Sequence, residues 1–149
     1  MKKVILFVLT FALTGCSYIV DFYIFNSTEN PVTIEYKVFQ RSDYEVFTTN
    51  PKTVNFRSTK KVSSQKDSLG FKFSEQTNTI SCEIAPQQAL WLGSDINFSI
   101  DNEYGANMLK EKFEYIKVTH SEGEILVTPE NLLDHFQTYK LQIVGMKVK

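Results

Sequence analysis

The sequence has 149 residues, 42% of them hydrophobic and 22% charged, and its formal net charge is −1. That length suits one domain, large enough to bury roughly two thirds of its unfolded surface. A near-neutral balance without a basic stripe argues against a nucleic-acid partner.

Taken in chain order, the first element is not part of a fold. Lys2 and Lys3 precede an almost uninterrupted apolar run over residues 4–13, followed by Leu13-Thr14-Gly15-Cys16. A cationic start and a short apolar stretch are laid out as an export signal. The run is far below the ~20 residues a spanning helix needs. At Leu13-Thr14-Gly15-Cys16 the chain resembles the lipobox of bacterial lipoprotein precursors, a resemblance that covers residues 1–16 only. It implies cleavage between Gly15 and Cys16, alkylation of the Cys16 thiol by a diacylglyceryl group, and acylation of the new amino terminus with palmitate-type chains. A cysteine is needed there because its thiolate is the nucleophile toward the lipid donor. Two or three acyl chains hold stably where one holds marginally. The residue after the cysteine is Ser17 and not Asp, which under enteric-type sorting implies the outer membrane, with the domain on either side of it.

The expected division is therefore a signal peptide over residues 1–15 and a single domain over 16–149. With Cys16 committed to lipid, Cys82 has no cysteine partner within the mature chain. In Thr79-Ile80-Ser81-Cys82-Glu83-Ile84 it alternates with polar neighbours, which places its thiol inward as a small hydrophobe.

The rest reads mainly as strands. Residues 18–25 form a nearly continuous apolar run, the pattern of a strand buried on both faces, and 26–31 are rich in turn formers. Residues 32–38 alternate with period two, so the two runs are expected to pair as a hairpin. Short strands are expected at 44–48 and 54–56, and a solvated loop at 59–67. Leu69, Phe71 and Phe73 alternate, as do Ile80, Cys82 and Ile84. After a turn at Pro86 come Ala89-Leu90-Trp91-Leu92, then a strand over 95–101 with Ile96, Phe98 and Ile100 on one face. Residues 113–120 and 124–127 form a second expected hairpin about Glu122-Gly123. Thr128, Pro129 and Glu130 fit the start of a helix, with Leu132, Leu133 and Phe136 on one side. Residues 139–148 make a closing strand. Many short strands between turns predict a mainly β, two-layer antiparallel β-sandwich, Ig-like or transthyretin-like, with one short helix near the carboxyl terminus. A small barrel is the second choice.

Chemistry-bearing motifs are few. Asp95, Asn97, Ser99, Asp101 and Glu103 place an oxygen at every second position, but Ile100 stands where a calcium hand requires Gly, and they read as the wet face of a strand. His120 and His135 lack metal-ligand spacing, although Glu122 could orient His120 as a base. No GxSxG elbow or phosphate-cradling glycine loop occurs. Phe71, Phe73, Phe98 and Trp91 are expected in the core, and Tyr44, Phe47 and Tyr104 are candidates for exposure. Asp67-Ser68-Leu69 resembles the O-glycosylation triplet of Bacteroidetes envelope proteins. Catalytic residues, metal and cofactor are expected to be none. The expected role is a lipid-anchored envelope protein, a non-enzymatic binding or assembly module contacting the membrane and an envelope protein or glycan. The alternatives are a hydrolase inhibitor using the loop around 58–67, and a small hydrolase with dispersed carboxylates.

Overall fold

Alternation along the first apolar run sets the architecture. In the computed structural model, which describes residues 17–37, 46–112 and 114–149, β1 (Ile19–Asn26) turns Val20, Phe22 and Ile24 to one side. Tyr23 and Phe25 face the other side, and both faces are covered. The expected signal peptide, with Gly15 and Cys16, lies outside the described residues, as do Tyr44 and Phe113. The remaining elements are β2 (Val32–Lys37), β3 (Lys52–Ser58), β4 (Lys61–Val62), β5 (Asp67–Ser68), β6 (Phe71–Ser74), β7 (Thr79–Ile84), β8 (Gln88–Ile96), α1 (Glu103–Glu111), β9 (Ile116–His120), β10 (Gly123–Val127), α2 (Leu132–His135), β11 (Phe136–Lys140) and β12 (Ile143–Val148).

The strands form two sheets. The larger runs β11-β12-β1-β8-β3-β4, with β5 also on β3; the smaller runs β10-β9-β2-β7-β6. The main core lies between them. Phe22, Ile24, Leu90, Leu92, Val144 and Met146 of the large sheet meet Ile34, Tyr36, Ile80, Ile84, Ile116 and Val118 of the small one. The mainly β, two-layer expectation is correct, with a short helix near the carboxyl terminus.

One pairing departs from an all-antiparallel sandwich: β1 and β12 run parallel, Asp21 opposite Ile143 and Asn26 opposite Val148. The amino-terminal hairpin is also absent, because β1 and β2 belong to different sheets. Asn26 explains the crossing. Its side chain is fully buried, and its amide donates to the Asn30 and Ile84 carbonyls at 2.8 and 3.2 Å. Its Oδ1 accepts from the Thr28 N–H and hydroxyl at 3.0 and 2.8 Å. Such a turn satisfies the backbone as the chain leaves one layer for the other.

Other boundaries shift for local reasons. β8 absorbs the apolar burst and stops at Ile96, since Asn97 adopts φ 55°. Ile96 is therefore exposed while Phe98 and Ile100 are buried, and the expected strand over 95–101 does not form. Helix α1 was not expected: Asn102 caps it, accepting from the Gly105 N–H at 2.7 Å. Its buried apolar side chains are only Ala106 and Leu109, with Met108 half-buried against the core, too few for a clear periodic pattern. α2 is a single turn that ends before Phe136, and Leu133 is exposed. Thr128 does not cap it; the Thr128 N–H instead donates to the Asn131 side chain at 2.7 Å. The closing strand is split into the β11–β12 hairpin by a turn at Leu141 and Gln142. Phe71 lies on the edge strand β6 and is exposed, while Phe47 is buried against Tyr36 at a ring distance of 6.3 Å. Tyr104 is exposed as expected. Val46 to Thr48 form no strand, whereas β3, β7 and the β9–β10 hairpin stand where the alternation puts them.

Candidate functional site

The outer face of the large sheet carries a polar side-chain cluster built around Asp21. Position 21 lies between inward-facing Val20 and Phe22, so its carboxylate projects outward beside Tyr23. β8 places Ser94 opposite Asp21 and Trp91 opposite Tyr23, with a register shift between them. Asp21 Oδ1 accepts from Ser94 Oγ at 2.6 Å, Trp91 Nε1 at 2.7 Å and Lys66 Nζ at 3.0 Å. Tyr23 donates its hydroxyl to Oδ2 at 3.2 Å. Four donors use essentially the whole acceptor capacity of a carboxylate.

Electrostatics follow the geometry. Partial burial pushes the Asp21 carboxyl up, but the bonds from Ser94, Lys66 and Trp91 and the Lys66 charge outweigh it, holding the group below its ordinary value of 3.8. Tyr23 moves the other way, raised well above the usual phenol range by burial and then by the Asp21 charge. A carboxylate this acidic and this fully bonded is a fastening point.

What it fastens is the segment after β3. Residues 58–67 are not a free loop: Ser58 pairs with Lys61 across a two-residue turn, and Asp67 pairs with Thr53. Lys66 then reaches back to Asp21 and sits 4.1 Å above the Trp91 ring, a cation–π contact. Beneath this strap lies a second small core of Tyr23, Phe25, Val54, Phe56, Ala89 and Trp91, flanked by Val62, Tyr139 and Ile143. Phe25 meets Phe56 and Tyr139 edge-on, with centroids 5.1 and 5.5 Å apart. Trp91 thus fills a core, as expected, but not the one between the sheets. Replacing Lys66 with Ala should release the strap, and tryptic cleavage at exposed Lys60 and Lys61 should rise about tenfold. Unchanged cleavage would mean that the backbone pairing alone holds the segment.

Beside Trp91 the sheet end opens into a mostly apolar cleft of about 250 Å³ lined by Ile19, Trp91, Ser94, Asp95 and Ile96. The residues singled out by sequence lie elsewhere or do not converge. His120 and Glu122 line one cleft of about 270 Å³ together with Asn30 and Lys149, with no hydrogen bond between them; His135 is outside it. The alternating oxygens from Asp95 to Asp101 serve separate duties: Asp95 Oδ1 accepts from the Ile96 N–H, Asn97 Oδ1 from the Tyr18 N–H, Ser99 Oγ from the Asp101 N–H, and Asp101 Oδ2 from the Thr138 hydroxyl. They do not form the wet face of a strand, because the strand ends at Ile96. Cys82 is buried, and burial pushes its thiol up to about 12, so it packs as a neutral side chain. Ser68 is exposed at the strap edge.

Asp21 is not marked by any motif, yet the sequence carries one signal of it. An acidic residue inside an otherwise apolar run must be paired if its strand is buried on both faces. Among the described residues no helix is long and apolar enough to cross a membrane. No family model, curated protein or solved structure matches this chain.

Proposed function

We propose that the chain is a lipid-anchored protein of the bacterial cell envelope, cut between Gly15 and Cys16, held by Cys16 and acting as a non-enzymatic binding or assembly module. The observation that carries this reading is the Leu13-Thr14-Gly15-Cys16 motif behind a cationic, apolar leader. The first strand begins at Ile19, only three residues later, so anchor and domain are nearly contiguous. Ser17 in place of Asp supports the outer membrane.

The non-enzymatic part of the reading is supported by the use to which the Asp21 cluster is put: its carboxylate is taken up in holding a strap over aromatic side chains. An inhibitor acting through 58–67 is less well supported, since both ends of that segment are paired to β3. The anchor is tested by Cys16→Ala. The variant should keep its leader and lose diacylglyceryl modification, while wild type is recovered from membranes as a shorter, lipid-bearing chain. Equal leader cleavage and equal lipid content in both proteins would defeat the reading.

A further inference from the structure

We propose that the end of the large sheet where the chain emerges is a membrane-seating surface. Exposed aliphatic side chains there enter the bilayer at its glycerol–acyl boundary, so the domain rests on the membrane instead of swinging from it. The inference depends on the anchor at Cys16 and adds an orientation to it.

Three of the exposed large hydrophobic residues gather at that end. Ile19 and Ile96 are partners in the last rung of the β1–β8 ladder, 59% and 65% exposed, and both line the cleft beside Trp91. On the other side of β1, Asp21 pairs with Ile143, and its N–H donates to the Gln142 carbonyl at 3.0 Å. This brings the β11–β12 turn alongside, with Leu141 67% exposed and Lys140 also exposed. Isolated exposed aliphatics need no explanation, but a cluster at one edge marks a surface that is covered in use.

The covalent chain identifies the cover. Cys16 precedes Ile19 by three residues, and a fully extended chain gains at most about 3.6 Å per residue. The Ile19 backbone therefore cannot lie more than about 11 Å from the lipid-bearing residue. An apolar face at the interface sits about 5–10 Å into the headgroup–acyl boundary, which is within that reach. No protein partner has to be brought to this edge, because the bilayer is already there. Lys140 suits the same placement, its ammonium being able to stay among anionic headgroups while the neighbouring Leu141 points inward.

Trp91, the only tryptophan, lines the same cleft and reports on it. The mature lipoprotein, purified from membranes, is reconstituted into phosphatidylethanolamine–phosphatidylglycerol vesicles containing a brominated phosphatidylcholine. Emission from Trp91 should be quenched. In an Ile19→Ser, Ile96→Ser, Leu141→Ser variant quenching should fall roughly twofold or more, although the lipid still holds the protein on vesicles in flotation. Leu141→Ser alone leaves the tryptophan cleft intact and should lower quenching in the same direction, which separates altered seating from altered packing. Quenching that is absent in wild type, or equal in all three proteins while they float with vesicles, overturns the seating surface and leaves the anchor standing. Failure of wild type to float, with no lipid on its amino-terminal peptide, removes the anchor itself and the inference with it.

Discussion

Asp21→Ala is expected to destabilise the domain by about 2–3 kcal/mol and to lower Tm by roughly 10 °C. The cost comes from what the carboxylate leaves behind. Lys66 Nζ, Trp91 Nε1 and Ser94 Oγ all converge on Oδ1 within 3.0 Å, and without it a half-buried ammonium and an indole N–H lose their acceptor. The strap carrying β4 and β5 should detach, exposing Phe25, Phe56 and Trp91, so Trp91 emission should shift to the red along with the stability loss. The same network sets an acid dependence. Asp21 has a folded pKa below its ordinary 3.8, so its contribution is complete above that unfolded value. It is lost as pH falls below 3.8 and through the folded pKa. Asp21→Asn, which cannot titrate, should flatten this part of the acid limb. Denaturation followed by circular dichroism between neutral and acid pH tests both statements. An unchanged midpoint for the alanine variant would show that the cluster is incidental.

Gly145→Ala is expected to abolish cooperative folding. Gly145 lies in β12 opposite Tyr23 of β1, where an added Cβ would collide with the Tyr23 carbonyl oxygen and fall 3.1 Å from the Phe25 ring. The obstacle is the backbone of a central strand, so it cannot rotate away. β12 would have to part from β1, withdrawing Val144, Met146 and Val148 from the main core. Each of those losses is of the order of 2–4 kcal/mol, comparable to the net stability of a small domain. Gly70 is the control: a Cβ there meets nothing within 4 Å, and Gly70→Ala should express and melt like wild type. Soluble, cooperatively melting Gly145→Ala protein would refute the close packing of β1 on β12.

The contrast between these positions shows what a single sequence makes legible. β2 and β7 were readable because each has one wet and one dry face, and period two follows directly from that. β1 was readable as a strand with both faces covered, but not the identity of its covers. Phe25, Phe56 and Tyr139 are spread across the chain and meet only after the large sheet assembles. Neighbourhood in sequence suggested that β1 and β2 pair, and a single buried asparagine sends them into different layers. The charged stretch at 59–67 looked like solvated loop since nothing local marks Lys66 as the partner of a carboxylate 45 residues away. Helix α1 is hard to read because only Ala106 and Leu109 are buried apolar side chains, with Met108 half-buried beside them. The candidate site was legible only in part: Trp91 was placed in a core, while Asp21, Lys66 and Ser94 became a cluster only through register and crossing chains.

The central claim is a thioether at Cys16, and the most direct measurement is mass spectrometry of the amino-terminal peptide of protein isolated from its own membranes. The expected peptide begins at Cys16 and carries a diacylglyceryl group with further acylation. A chain still beginning at Met1, or one cut elsewhere with an unmodified Cys16, would contradict it.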